Sequence, residues 1–149
     1  MSQNVRAIQA YLYEHIPLSK VMQVQVKEVE SNRVVLAAPL LPNINHRSTV
    51  FGGSASTLAI LSGWTLINFR LRNEGFTSRL VIQKNTMSYN KPIINDFEAV
   101  CCLTKAETWD RFSLILRRKQ KSRITVDSWL RCDGERVGEF TRVYVALGI

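Results

Sequence analysis

At 149 residues the chain has the length of a single domain, 1–149, enough to bury roughly 68–70% of its unfolded surface. Hydrophobic residues make up 46% and charged residues 21%, with only 7 Gly and 4 Pro, which excludes disordered, collagen-like and linker-rich chains. Lys plus Arg number 20 against 12 Asp plus Glu, and this net charge of +8 points to an anionic partner.

The first element is a short amphipathic helix over residues 4–15. Val5, Ile8, Leu12 and Ile16 share one side, and Pro17 limits it. The start, MSQNVRAIQAYLYEHIP, lacks the basic opening and continuous apolar stretch of a signal peptide. Residues 21–29 alternate, with Met22, Val24 and Val26 against Gln23, Gln25 and Lys27, as a half-buried strand does. Ser31-Asn32 is turn chemistry, residues 33–38 form a second strand, and Pro39 and Pro42 open a loop.

From Ser48 to Phe69 there is no charged residue. The many Gly, Ser and Thr residues make this stretch a poor membrane span. From Ser54 to Arg72 it reads as a helix that is apolar nearly all round, through Leu58, Ile60, Leu61, Trp64, Leu66, Ile67 and Phe69. Such a helix must be buried on most sides. Strands are expected at 79–89 and 97–104. A helix follows at 107–119, with Trp109, Phe112 and Leu116 on one face and Thr104 and Glu107 at capping-box spacing. Strands at 123–132 and 137–147, turned by Asp133-Gly134, complete the chain. A buried helix among six strands needs a sheet that curls around it, so the fold class is α+β: a six-stranded, mostly antiparallel sheet wrapped on a long central helix.

Cys101, Cys102 and Cys132 are an odd set lying in apolar runs, read as reduced core residues of a cytoplasmic protein. No CxxC or HExxH spacing occurs among the cysteines and the two histidines, so no metal site is expected.

The most unusual local sequence is Asn45-His46-Arg47-Ser48-Thr49-Val50-Phe51-Gly52-Gly53-Ser54. A Gly-Gly pair that opens a buried helix lets a ligand approach the backbone. The first helical N–H groups point outward where the dipole favours negative charge, which suits an oxyanion hole for a thioester carbonyl. A plain tight turn into a helix is the alternative use of the same glycines. His46 is a loop residue beside this segment, either solvated or in contact with a ligand. Ser54 lies in Gly-Gly-Ser-Ala-Ser, which is not the GxSxG elbow of a serine hydrolase.

Several pieces of the chain resemble the hotdog-fold acyl-CoA thioesterase superfamily, and most closely the YiiD-type thioesterase-like domain found at the C-terminus of some bacterial GNAT acetyltransferases. They are Pro42-Asn-Ile-Asn45, Thr49-x-Phe-Gly-Gly-Ser54, Ser62-Gly-Trp64, and Tyr89-Asn-Lys-Pro92 followed by Asp96 and Ala99. The resemblance implies hydrolysis of acyl-CoA or acyl-carrier-protein thioesters, without a separate cofactor, at sites shared across a homodimer or a dimer of dimers. It places Asn45, Gly53 and Ser54 at the reacting group, with His46, Phe51, Gly52 and Thr57 against the substrate.

One departure is plain. Phenylacetyl-CoA-type relatives start the helix His-Gly-Gly and carry a catalytic acid nine residues after the His. Here those places hold Phe51 and Ile60, and the first carboxylate after Gly53 is Glu74. Water would then be held by Asn45, Ser54, Ser56 or Thr57, or a carboxylate would come from the partner subunit. A non-catalytic acyl-CoA or acyl-carrier binding module is the alternative. The run from Arg117 to Arg123 carries five cations in seven positions, Arg117, Arg118, Lys119, Lys121 and Arg123. It is either a solvated helix end or, with Lys91, the contact for coenzyme A phosphates or an acidic carrier protein. It lacks a recognition-helix or base-stacking pattern, so nucleic acid is not an expected partner. One wrapped sheet also leaves edge strands open, which argues for edge-to-edge pairing of copies.

Overall fold

The computed structural model describes residues 3–148. Helix α1 (Gln3–His15) is followed by a short helix α2 (Pro17–Val21), then strands β1 (Gln25–Glu30) and β2 (Arg33–Ala38). A 3-10 turn (Leu41–Asn43) leads into the long helix α3 (Gly52–Asn73). Strands β3 (Ser78–Tyr89) and β4 (Phe97–Cys102), helix α4 (Ala106–Lys119), and strands β5 (Lys121–Cys132) and β6 (Glu135–Gly148) complete the chain. The six strands form one sheet in the order β1-β2-β4-β5-β6-β3, and every neighbouring pair is antiparallel.

Two boundaries differ from the sequence expectation for local reasons. Residues 17–21 are helical, because Pro17 at the first turn starts α2 rather than only ending α1; the first strand therefore begins at Gln25, not at residue 21. The capping box expected at Thr104 and Glu107 does not form. Lys105 is the N-cap of α4, and no side chain caps it.

Helix α3 is the centre of the molecule. It packs against β2, β3, β4, β5 and β6. Ala55, Leu58, Ala59, Leu61, Leu66, Ile67 and Leu71 are all buried along it. Buried Tyr144 of β6 donates from its hydroxyl to the Ile60 carbonyl at 2.6 Å. Gly63 makes this close approach possible, since a Cβ there would stand 2.6 Å from the Tyr144 hydroxyl.

Helix α4 is tied to the C-terminal end of α3. The Trp109 indole donates to Glu74 at 2.7 Å, and the Arg70 guanidinium lies 4.5 Å from the Trp109 ring centroid. Strand β4 pairs with β5 only from Glu98–Arg131 to Cys101–Ser128. The first half of β5 therefore has no β4 partner, and α4 packs beside it instead.

Gly63→Ala is expected to lower stability by about 1–3 kcal/mol, because the new methyl would displace the buried Tyr144 ring from its hydrogen bond to Ile60. Urea unfolding reads this, and an unchanged midpoint would show that the contact yields without cost.

Candidate functional site

The loop between β2 and α3 is held by two asparagines. Asn43 is buried; its side-chain amide N–H groups donate to the carbonyls of Met22 (3.0 Å) and Pro39 (2.8 Å), and its backbone carbonyl accepts from the Phe51 N–H (2.8 Å). The Asn45 side-chain oxygen accepts from the N–H groups of Arg47 (2.8 Å) and Thr49 (3.1 Å), and its amide donates to the Thr49 hydroxyl at 2.8 Å. Asn45, read from the sequence as a reacting-site residue, is thus a loop staple whose side-chain oxygen is already occupied. The Val50 N–H donates to Ile93 at 2.8 Å, which fastens the end of this loop to the segment after β3.

These contacts deliver the chain to the start of α3 in an extended conformation, with Phe51 at φ −59°, ψ 132° and no side-chain cap. The first helical amide to find a carbonyl is that of Ala55, which donates to Phe51 at 3.1 Å. The N–H groups of Gly52, Gly53 and Ser54 have no acceptor among the described residues. Uncapped amides of this kind carry the positive end of the helix dipole. The exposed Phe51 ring lies over Gly53 where a Cβ would collide with it. Tyr89, at the end of β3, donates from its hydroxyl to the Gly52 carbonyl at 3.0 Å. Phe51 and Tyr89 thus make two apolar walls beside three free amides.

The small hydroxyls along α3 divide by what they already bond. Thr57 donates to the Gly53 carbonyl at 2.8 Å, and Ser56 accepts from the Asn85 amide at 3.0 Å. The Ser54 hydroxyl has no hydrogen bond among the described residues, leaving it the one uncommitted hydroxyl in the first turns. His46 is exposed in the loop before α3. Lys91 is exposed beyond Tyr89, and its ammonium pairs with Glu135 at 2.8 Å.

The basic run lies elsewhere. Arg117 approaches Glu74, at the far end of α3, at 3.8 Å and covers the Phe76 ring at 4.9 Å. Arg118 closes α4, while Lys121 and Arg123 open β5. The 22 residues of α3 span about 33 Å. Within one chain Arg117, Arg118, Lys121 and Arg123 therefore stand at the opposite end of the helix from Gly52–Ser54, and the structure does not bring them to that site.

Two residues of this region were given no role of their own in the sequence reading. Asn43 lacked any distinguishing signal beyond the loop it shares with Asn45. Arg142 had one: in the alternating strand Phe140, Arg142 and Tyr144 fall on the same inner face. It is fully buried, and burial pushes its guanidinium down to about 10. Burial likewise pushes the nearby Cys101 thiol up to about 12. Among the described residues no cluster of His, Cys, Asp and Glu forms a metal site, and no helix is long and apolar enough to cross a membrane.

The family model described as "Putative thioesterase (yiiD_Cterm)" matches residues 5–148. Among solved structures, the chain superimposes on a protein of unknown function from Chlorobaculum tepidum with a TM-score of 0.93, at 24% identity, covering 99% of this chain and 96% of that one. A "putative thioesterase" from Shewanella oneidensis matches with a TM-score of 0.88, at 24% identity, covering 99% of both chains. A "probable thioesterase" from Pseudomonas aeruginosa matches with a TM-score of 0.82, at 20% identity, covering 97% of this chain and 95% of that one. The architecture is that of the hotdog thioesterases.

Asn45→Ala removes two acceptor bonds and one donor bond from the loop and is expected to cost about 1–3 kcal/mol in denaturant unfolding. Asn45→Asp keeps both acceptor bonds and should lose clearly less. Equal losses from the two variants would contradict the staple role.

Proposed function

The chain belongs to the YiiD C-terminal family of thioesterase-like domains, and from that premise we propose that it hydrolyses acyl thioesters, of coenzyme A or of an acyl carrier protein, at the N-terminus of α3. The observation that carries this reading is the set of unpaired amides at Gly52, Gly53 and Ser54, left without a cap beside Phe51 and Tyr89. A thioester carbonyl placed over Gly53 points its oxygen at these amides. Water adds to the carbonyl carbon while the C=O electron pair moves onto oxygen, and the N–H groups of Gly53 and Ser54 meet the charge that forms. Collapse of this intermediate re-forms the C=O bond and breaks the C–S bond. The proton shed by the water ends on the departing sulfur, which leaves as the thiol.

The Ser54 hydroxyl is the group placed to hold the attacking water, because Asn45, Ser56 and Thr57 are committed to other partners. Phe51 and Tyr89 contact the acyl or pantetheine chain, and His46 stands at the rim. Helix α3 carries no carboxylate, so a general base comes from outside it, and the partner subunit is the natural source.

That partner is itself part of the proposal. Among the described residues, the twelve-residue strand β3 pairs with β6 on one side and with no strand on the other. Val81 and Ile82, on opposite faces, remain 50% and 38% exposed, which leaves apolar surface free for a second copy. Antiparallel pairing of β3 with its own copy would set the partner's strand start beside this chain's Tyr89. Arg79 shares a row across the sheet with Leu147 and Lys121, so the partner's basic run would then approach this chain's site, near enough for coenzyme A phosphates or an acidic carrier. A binding module without turnover is the second reading, favoured by the lack of an acid on α3.

Light scattering should give twice the 17.0 kDa chain mass, or four times for a dimer of dimers; a monomer at micromolar concentration would remove the shared-site arrangement. Thiol release from acyl-CoAs of graded chain length tests the chemistry. We expect turnover that falls about a hundredfold or more in Gly53→Val, whose side chain meets the Phe51 ring and covers the amides. Tight acyl-CoA binding with no turnover on any substrate, carrier-linked ones included, would decide for the binding module.

A further inference from the structure

Strand β3 runs along the half-buried side of α3, and three hydrogen bonds cross between them. The Tyr89 hydroxyl donates to the Gly52 carbonyl at 3.0 Å, the Asn85 amide to the Ser56 hydroxyl at 3.0 Å, and the Trp64 indole to the Leu80 carbonyl at 3.1 Å. Residue numbers fall along β3 as they rise along α3, so the two elements run antiparallel. On β3, Tyr89, Met87, Asn85, Ile82 and Leu80 share the face toward the helix, since each pairs with a buried residue of β6. On α3, Gly52, Ser56, Ile60 and Trp64 follow at steps of four, which puts them on one side of the helix. The seam between the two sets is a track that begins at the free amides of the first turn.

The three bonds divide this track into two parts. Between the first bond and the second, Gly52 to Ser56 is about 6 Å of helix axis, and Met87 faces it from β3. Between the second and the third, Ser56 to Trp64 is about 12 Å. The side chains of that stretch, Ile60 and Ile82, are apolar and reach the surface. The longer and more hydrophobic part is therefore cut off from the helix start by a bond between two polar side chains. An alkyl chain that entered it would break the Asn85–Ser56 bond and set hydrocarbon against two unpaired polar groups. Asn85 is exposed in the single chain. It lies near the middle of β3, where the self-pairing proposed above would bring the second copy beside it.

We infer that the Asn85–Ser56 pair is the floor of the acyl subsite. At about 1.5 Å per bond, the space above it holds an acyl group of about four carbons, so the preferred substrates are short-chain thioesters. The assignment rests on the hydrolase reading. Neither residue touches the reacting carbonyl; both act on the far end of the acyl chain and set its length.

The test is kcat/KM for straight-chain acyl-CoAs from acetyl to decanoyl in the wild-type protein, Asn85→Ala, Ser56→Ala and Ser56→Thr. The wild type is expected to work best up to about four carbons and to lose about tenfold or more by octanoyl. Each alanine variant should raise the octanoyl-to-acetyl ratio about tenfold, whereas Ser56→Thr, which keeps the hydroxyl, should keep the limit. Should Asn85→Ala fail to fold, Ser56→Ala decides. S-alkyl pantetheines from ethyl to decyl cannot be hydrolysed, and calorimetry with them makes the same comparison without turnover. A wild type with no length limit in either measurement, or folded alanine variants with the wild-type profile, overturns the floor. Turnover without a length limit removes this subsite and leaves the hydrolase; a length limit among the thioethers, shifted by the alanine variants, with no turnover on any substrate does the reverse.

Discussion

A helix without a polar stripe has to be covered almost all the way round, and that requirement organises this molecule. Helix α3 buries residues on successive turns and on more than one face, so a flat layer would leave much of it wet. The sheet meets it with five of its six strands. One close point of contact is where Tyr144 donates to the Ile60 carbonyl over Gly63. Strand order, the inward alternation of β5 and β6, and the anchoring of α4 on Glu74 all follow from enclosing one apolar cylinder.

The same enclosure accounts for the character of the candidate site. The start of α3 reaches the surface, and the loop before it is fastened by its own side chains. Asn43 and Asn45 hold the loop, Thr57 turns back onto the helix, and Ser56 takes the Asn85 amide. The polar groups that would ordinarily cap a helix are therefore engaged elsewhere. Phe51, an N-cap residue with nothing to donate or accept through its side chain, leaves the amides free. Rigidity around an unsatisfied helix end is what an anion-stabilising site needs, since no reorganisation is required when charge appears.

Much of this was legible in the sequence. Period-two alternation in residues 123–132 reported the inner and outer faces of that strand directly, and the uncharged stretch from Ser48 to Phe69 announced the central helix. What the sequence could not supply was proximity. Arg117 to Arg123 and the glycine pair each carry a clear local signal, yet the length of α3 separates them within a chain. Asn45 matched a family position, but its bonding depends on the backbone turn through Thr49, which residue identity does not reveal. Residues 17–20 carry no element in the sequence reading, and the strand is started at 21, because Pro17 reads equally as a helix stop and a helix start. Arg142 fell on an inward position of the last strand and still escaped notice, because a pattern of apolar residues hides a single charge among them.

The mismatch in length between β4 and β5 has its own consequence. Strand β4 accompanies only four residues of a twelve-residue neighbour, so the interior of the sheet contains a break in its ladder. An open interior edge is a template for wrong pairing with any extended chain. Helix α4 packs against β5 and is bolted to α3 through Trp109. Loss of its docking would do more than loosen a peripheral helix. It would uncover the alternating apolar residues Ile124 and Val126 on a stretch that β4 does not pair, a combination that favours self-assembly into ordered aggregates.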